Sequence, residues 1–339
     1  MNGAVAIVRA ARRASRRARK RASTELAWSA SRRGRADLAL FHEFEPAPAG
    51  GGHQFLRALV RELERRGLSV ELNRISGGTN ACLFNSFNFD FTRLRRFARA
   101  GCRMVHRVDG PIGVYRGFDD GTDARIAEIN AELADATVLQ SSYSLEKHAE
   151  LGIVLRDPVV ISNTVDPAIF YPASAGGPWA GPPLRVVASS WSTNPRKGAD
   201  VLEWLDRNVD PARFAITFVG SPWRSFRRIR QLGTLDSYGV AHVLREHDVY
   251  LAASLDDPCS NALLEALACG LPAVFRKSGG HPELVGEAGL PFDRPEEVPA
   301  ALERVAADLD AFRSRISLPS IATVADAYVR ALGLVEQRS

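Results

Sequence analysis

From Leu38 onward the chain repeats one pattern: a short apolar run, a turn, then a longer segment whose apolar residues recur with helical period. Strands separated by helix-length connections cannot form hairpins. They pair in parallel, and the crossover helices cover both faces of the sheet. The pattern predicts strands over 38–44, 69–73, 81–85, 103–108, 137–140 and 159–162. The clearest helix covers 53–66, where Phe55, Leu56, Leu59, Val60 and Leu63 form one stripe, charges lie opposite and Gly67 stops the turn.

Proline and glycine thicken over 171–183, where neither a helix nor a central strand persists. A second alternating series follows, with strands predicted over 184–189, 215–219, 249–253 and 271–276 and helices over 199–207, 240–246 and 261–269. A chain of 339 residues also exceeds what one core usually serves. The expected architecture is α/β, with two facing doubly wound, Rossmann-like domains and a cleft between them. The expected divisions are a basic arm (1–36), a first domain (37–172), a linker (173–183), a second domain (184–318) and a last segment (319–339) whose helix packs back toward the first domain.

The formal charge of +5 hides an asymmetry. Residues 1–36 hold eleven Arg or Lys against Glu25, a net +10, which leaves −5 for the rest. Such an arm fits a solvated extension or adhesion to anionic lipid. Nucleic acid is not expected, because Trp28 is the arm's one aromatic residue for stacking. The short apolar start at 4–8 precedes the charges, the reverse of a secretory signal. No apolar run reaches the roughly 18 residues of a membrane span. The four cysteines, at 82, 102, 259 and 269, form no close pair, as expected for reduced, buried thiols of a cytoplasmic protein. The expected location is therefore cytoplasmic, with membrane-peripheral contact through the arm.

Four glycine or helix-start clusters each follow a strand, where free backbone amides can meet phosphate. In the first, Gly50, Gly51 and Gly52 allow close approach of a ligand, or simply a flexible turn. It is no dinucleotide fingerprint, since the third glycine of that spacing is absent. In the second, Arg196 and Lys197 at a helix start suit a diphosphate, or an exposed basic turn. The third runs from Asp256 to Pro272. Ser260 caps a helix there, so the amides of Asn261 and Ala262 point outward at its positive end, and Gly270 stops it. Asp257 before that helix and Glu265 within it suit hydrogen bonds to a sugar and a ribose, although helical period alone also fits Glu265 as a solvated surface acid. The fourth is Ser278-Gly279-Gly280-His281-Pro282-Glu283, which a plain loop also explains.

Together these clusters resemble the retaining GT-B glycosyltransferases of family 4, over about 38–332. Asp257 through Glu265 resembles the family's Glu-x7-Glu motif, and Glu265-Ala266-Leu267-Ala268-Cys269-Gly270-Leu271-Pro272 its continuation. Ser278 to Glu283 is similar to its Gly-Gly-x-Pro-Glu turn. Asn163-Thr164-Val165-Asp166 with Phe170 and Pro172 is similar to its interdomain segment. Met104-Val105-His106-Arg107-Val108-Asp109 resembles the strand end that presents a histidine to the donor sugar. Three departures stand out. Asp257 is one methylene shorter than the usual Glu, Ser192 replaces an Arg whose charge Arg196 would supply, and Thr164 replaces a Gly.

The resemblance implies transfer of a sugar from a nucleotide-diphosphate sugar to a saccharide or lipid-linked acceptor with retention of configuration, in surface polysaccharide, glycolipid or other glycoconjugate synthesis. His106 would line the sugar pocket, Asp257 bind the donor sugar, Glu265 the ribose, and Arg196 and Lys197 the departing diphosphate. Gly51, Gly52, Ser260, Asn261 and Ala262 complete the donor site. Without the resemblance, His106 also reads as a core histidine. No cofactor is expected beyond the donor substrate, and no metal, because Asp308-Leu309-Asp310 falls in a late helical segment away from the strand ends. Other readings are a nucleotide-sugar-binding protein without chemistry, a GT-B epimerase or phosphorylase, and a nucleic-acid binder resting on the arm alone.

Overall fold

In a computed structural model, the structure describes residues 34–46, 50–87, 89–98, 101–173 and 181–334. Nearly all of the basic arm and most of the proline-glycine segment lie outside the described residues.

The first domain carries β1 (Leu38–Phe41), α1 (Gly51–Arg65), β2 (Val70–Leu72), β3 (Ala81–Asn85), α2 (Phe91–Phe97), β4 (Arg103–Val108), α3 (Ile112–Arg116), α4 (Thr122–Leu133), β5 (Ala136–Leu139), α5 (Ser142–Glu150) and β6 (Pro158–Val160). Its strands form one six-stranded sheet in the order β2-β1-β3-β4-β5-β6, and every pairing is parallel. The second domain carries β7 (Leu184–Ser190), a 3-10 turn (Pro195–Lys197), α6 (Ala199–Asn208), β8 (Phe214–Gly220), β9 (Arg230–Leu232), α7 (Ser237–Arg245), β10 (Val249–Ala252), α8 (Asn261–Ala268), β11 (Ala273–Arg276), α9 (His281–Val285), β12 (Gly289–Phe292), α10 (Val298–Ala307) and α11 (Leu309–Ser314). The chain then returns in α12 (Ile321–Ala331). The second sheet, also parallel throughout, has the order β12-β11-β10-β7-β8-β9.

Two strands, β9 and β12, are absent from the sequence reading. Both lie at sheet edges, where pairing on one side suffices. Arg230-Gln231-Leu232 has no apolar run to announce it, and Pro291 within β12 is tolerated because an edge strand need not donate from every residue.

Each sheet is packed on both faces. Val186, Leu202, Phe218 and Leu302 belong to the core on one side of the second sheet, and Val187, Tyr250, Leu263 and Phe275 to that on the other. In the first domain, Phe55, Leu56, Leu83 and Val105 share a core with Val324, Ala325, Tyr328 and Val329 of α12. That helix is thus part of the first domain's interior, although it comes last in the chain. Arg66 of the first domain is ion-paired with Asp326 and donates to the Ala322 carbonyl at 2.7 Å.

Both sheets reverse strand order, the first between β1 and β3 and the second between β7 and β10. At such a reversal the crossover helices depart to opposite faces and leave a crevice outside the strands' carboxyl ends. The two crevices meet.

Candidate active site

A cavity of about 350 Å³ occupies that junction. From the first domain it is lined by His42 and Gly50 to His53 beyond β1, Asn85 at the end of β3, and Arg107 and Asp109 at the end of β4. From the second it is lined by Ser189 to Ser192 at the carboxyl end of β7, Lys197, Ala252 to Ser254 at the carboxyl end of β10, and Asp257 to Ala262.

Local structure explains why the second wall has its shape. After β7 the chain turns through Asn194, whose side chain accepts from the Arg196 amide at 3.0 Å, and closes on Gly198 at φ +100°. A Cβ on Gly198 would meet that of Ala253 at 2.5 Å, so the turn presses directly on the end of β10. Ser260 caps α8 by accepting from the Leu263 amide at 3.4 Å, and the amides of Asn261 and Ala262 are left without helical acceptors at the cavity wall. The N-terminus of α1 meets that of α8. A Cβ on Gly51 would lie 2.4 Å from the Asn261 Cβ, so glycine alone permits the two helix starts to touch.

Lys197 and Asp257 form the central ion pair, Nζ to Oδ2 at 2.7 Å. Burial pulls the Lys197 ammonium down, but Asp257 and the Tyr115 hydroxyl outweigh it and the net shift is up. Burial likewise raises the Asp257 carboxyl, and Lys197 with His281 overcomes it, so Asp257 is held below its usual range. The Lys197 ammonium also lies 4.3 Å from the Tyr115 ring centroid, a cation–π contact from the first domain. Ser254, 3.3 Å from Asp257 and 3.1 Å from His281 Nε2, joins this pair to the Gly279-Gly280 turn, whose Gly280 amide donates to the Asp257 carbonyl at 2.9 Å.

The other predicted residues stand differently. Glu265 does not reach this cavity; it lines a smaller adjoining pocket with Thr234, Leu235 and Ala262, which also shares Gly50, Gly51 and Ser189 to Trp191. Loss of water around its carboxyl pushes its pKa up to about 8, although part of its surface remains accessible. Arg196 is turned to the rim, ion-paired with Asp256, which also accepts from the Tyr143 hydroxyl at 3.0 Å. Gly51, Gly52, Ser260, Asn261 and Ala262 all line the cavity. Asp308 and Asp310 are exposed, with Asp310 paired to Arg313.

His106 requires a correction. It is fully buried, stacked on Phe84 at 4.2 Å, with Asn130 Nδ2 at 3.1 Å from its Nδ1, and it does not line the cavity. Burial pulls its pKa down to about 3. The strand runs on through Val108, so His106 lies two residues short of the carboxyl end, on the face packed against α4. The cleft instead receives Arg107 and Asp109. Arg107 is 1% exposed and donates to Asn85 (2.6 Å), Asp109 (3.1 Å) and Asn163 (2.9 Å), while its guanidinium lies over Phe55. Asn163 in turn donates to the Asn261 side chain at 3.0 Å, which ties the buried arginine to the start of α8. The interdomain Thr164 has its own reason: its hydroxyl donates to the Pro319 carbonyl at 2.7 Å and fastens the returning chain.

Sequence reasoning missed Arg107, Asp109, Tyr115, His42 and His53. Position at a strand's carboxyl end was the available signal for Asp109 and His42. Nothing local marks Tyr115 or His53.

A site assembled from both crevices of two facing Rossmann-like sheets defines the GT-B class of fold. Residues 190–308, which lie in the second domain, match the model of the family described as glycosyl transferases group 1. Over 162 residues the chain is 28% identical to a component of human phosphatidylinositol N-acetylglucosaminyltransferase, and the match covers 43% of this chain and 33% of that one. The chain thus spans about a third of that relative's length. Sucrose-phosphate synthase from Thermosynechococcus elongatus superimposes with a TM-score of 0.64 at 17% identity, over 89% of this chain and 95% of that one. Anabaena HepE in complex with UDP and glucose superimposes with a TM-score of 0.64 at 16% identity, over 88% of this chain and 100% of that one. These likenesses show the fold.

Proposed function

We propose that this chain is a retaining, metal-independent glycosyltransferase that moves a sugar from a nucleotide-diphosphate sugar to a hydroxyl acceptor. The observation that carries the reading is the convergence, inside the stretch that matches the glycosyl transferases group 1 family, of Lys197, Asp257 and the free amides of α8 on one cavity shared with the first domain. A departing diphosphate needs positive charge and oriented amides where its own charge grows. Lys197 and the starts of α1 and α8 supply them. The diphosphate displaces Asp257 from Lys197, and Asp257 then turns to hydroxyls of the donor sugar. Glu265, beside the adjoining pocket, takes the ribose. Attack on the face that the diphosphate leaves lets a phosphate oxygen accept the acceptor's proton, so no protein base is required.

The test is transfer by the purified chain from a panel of UDP-, GDP- and ADP-sugars, with NMR of the product's anomeric carbon for retention. The name of the human relative places UDP-N-acetylglucosamine and inositol in the first panel. Activity should persist in excess EDTA; full loss with rescue by magnesium or manganese overturns metal independence. Donor alone gives little turnover on this reading, whereas conversion of the sugar without acceptor favours an epimerase. The basic arm is proposed to hold the enzyme at an anionic membrane bearing a lipid-linked acceptor, and vesicle binding that survives deletion of 1–36 disproves that role.

A further inference from the structure

Two histidines at the cavity are left unused by this mechanism. His42 follows β1 and His53 stands in the first turn of α1, and both line the cavity. His42 Nε2 and His53 Nδ1 lie 2.9 Å apart, so the two imidazoles share one proton in a hydrogen bond. Their centroids are 4.7 Å apart, and Phe44 meets the His42 ring edge-on at 4.8 Å. The pair is therefore held by packing as well as by its bond.

The outer nitrogens differ. His42 is 1% exposed, and its Nδ1 has no partner among the described residues. A buried N–H without an acceptor is rarer and costlier than a buried lone pair without a donor. His42 Nδ1 is accordingly the bare nitrogen, His42 Nε2–H donates to His53 Nδ1, and the His53 proton sits on Nε2. That atom meets no protein acceptor among the described residues, on a ring at the cavity wall. The charges facing the pair are Arg57, Arg107 and Glu45. Burial first, then the neighbouring His53 and the two arginines, pulls the pKa of His42 down to about 3; at His53 burial and Arg57 outweigh Glu45 and the shift is also downward. A cationic acceptor would be repelled here, whereas a hydroxyl oxygen accepts the free N–H.

We propose that the His42–His53 pair reads the acceptor: His53 Nε2–H donates to a hydroxyl oxygen of a neutral, polyhydroxylated acceptor, and His42 holds the ring in that tautomer and orientation. The inference rests on the transferase reading and assigns the acceptor's contact within the same site. His53 is a binding residue, His42 a positioning residue, and neither takes the proton of the reacting hydroxyl.

The test uses the full chain with a donor and an acceptor that wild type joins, drawn from the nucleotide-sugar panel against methyl glycosides and myo-inositol. His53→Phe keeps a ring beside Phe44 and loses the N–H. It should raise the acceptor KM about tenfold, leave the donor KM and UDP affinity within about twofold, and lower the midpoint of thermal unfolding by a few degrees, because the buried His42 N–H loses its acceptor. His53→Gln restores a side-chain N–H and should recover part of the acceptor affinity. His42 variants disturb a buried position, so the His53 series decides. An unchanged acceptor KM in His53→Phe, or an equal rise in donor KM, overturns the inference while the transferase reading stands. If wild type transfers from no donor to any acceptor, the transferase reading fails first and this inference with it.

Discussion

At the scale of single residues, the charges of the cleft carry the sharpest consequences. Lys197 and Asp257 are both largely buried, with side chains 16% and 8% exposed. Removing one leaves the other an uncompensated buried charge, at a cost of about 3–5 kcal/mol. Lys197→Ala should therefore lower the unfolding midpoint as well as weaken donor binding, which an exposed basic turn would not do. The neutral pair Lys197→Met with Asp257→Asn should recover most of the stability but not donor use, which should stay about ten- to hundredfold below wild type. Calorimetry with and without UDP separates the two effects. Glu265 gives a pH prediction. With its folded pKa at about 8 against 4.5 for an ordinary glutamate, it is protonated at neutral pH in the free protein. Ribose hydroxyls donate to the carboxylate, so UDP affinity should rise as pH increases toward 8, level off above it, and lose this slope in Glu265→Gln. Because the folded state binds the extra proton, this group's contribution to stability is present below about 4.5 and is lost as pH rises through about 8. A flat UDP affinity from pH 6 to 9 in wild type would remove Glu265 from the ribose site.

At the scale of elements, the site depends on how α1 and α8 meet. Their N-termini are in contact at Gly51 and Asn261, and both present amides to one cavity. Neither helix start does this alone, since each supplies only part of the positive field that a diphosphate requires. In Gly51→Ala the added Cβ collides with the Asn261 Cβ, an atom fixed to the backbone, so relief comes only by moving the helices apart. We expect the variant to keep its fold, to open the cleft detectably in solution scattering, and to weaken donor binding about tenfold or more. Donor binding equal to wild type would show that the contact is not needed. The capped start of α8 and the glycines of α1 were legible in sequence, because capping and glycine loops are local chemistry. That they touch was not, because the two helix starts are some two hundred residues apart.

At the scale of the whole molecule, the chain crosses between domains twice, and the second crossing ends in α12. Val324, Tyr328 and Val329 are buried in the first domain's core, and Tyr328 lies 6.1 Å from Phe55, centroid to centroid. Each large side chain so buried contributes about 1.5–3 kcal/mol, so the helix as a whole rivals the net stability of a typical domain, about 5–15 kcal/mol. A chain ending at Pro319 should lose cooperative unfolding of its first domain, although the second domain's residues are intact. Tyr328→Ala should cost about 3–5 kcal/mol. Tyr328→Phe should cost much less, because it keeps the ring in the core and removes only a hydroxyl that lies beside the Arg107 guanidinium. Circular dichroism and calorimetry on the three forms check this. A truncated chain with a wild-type transition would show that α12 only covers the surface. The same crossing reaches the site: Thr164 is bonded to the returning segment, and its neighbour Asn163 bridges Arg107 to Asn261.

Period-two and period-3.6 apolar patterns, with glycine and proline at their ends, determined by themselves that this chain forms two parallel α/β domains. They also determined that its phosphate-competent turns follow strands, because a strand's alternation and a helix's stripe are properties of neighbouring residues. The tertiary structure decided what those elements face. On β4 the alternation was plain, yet only the assembled sheet shows that His106 points into the core against Phe84 while Arg107 and Asp109 reach the cavity. The edge strands β9 and β12 exist because a neighbour pairs with them. The pairs Lys197 with Asp257 and Arg107 with Asn163 join residues sixty and fifty-six positions apart. Such contacts depend on how distant segments pack, and no local pattern encodes the distance between them.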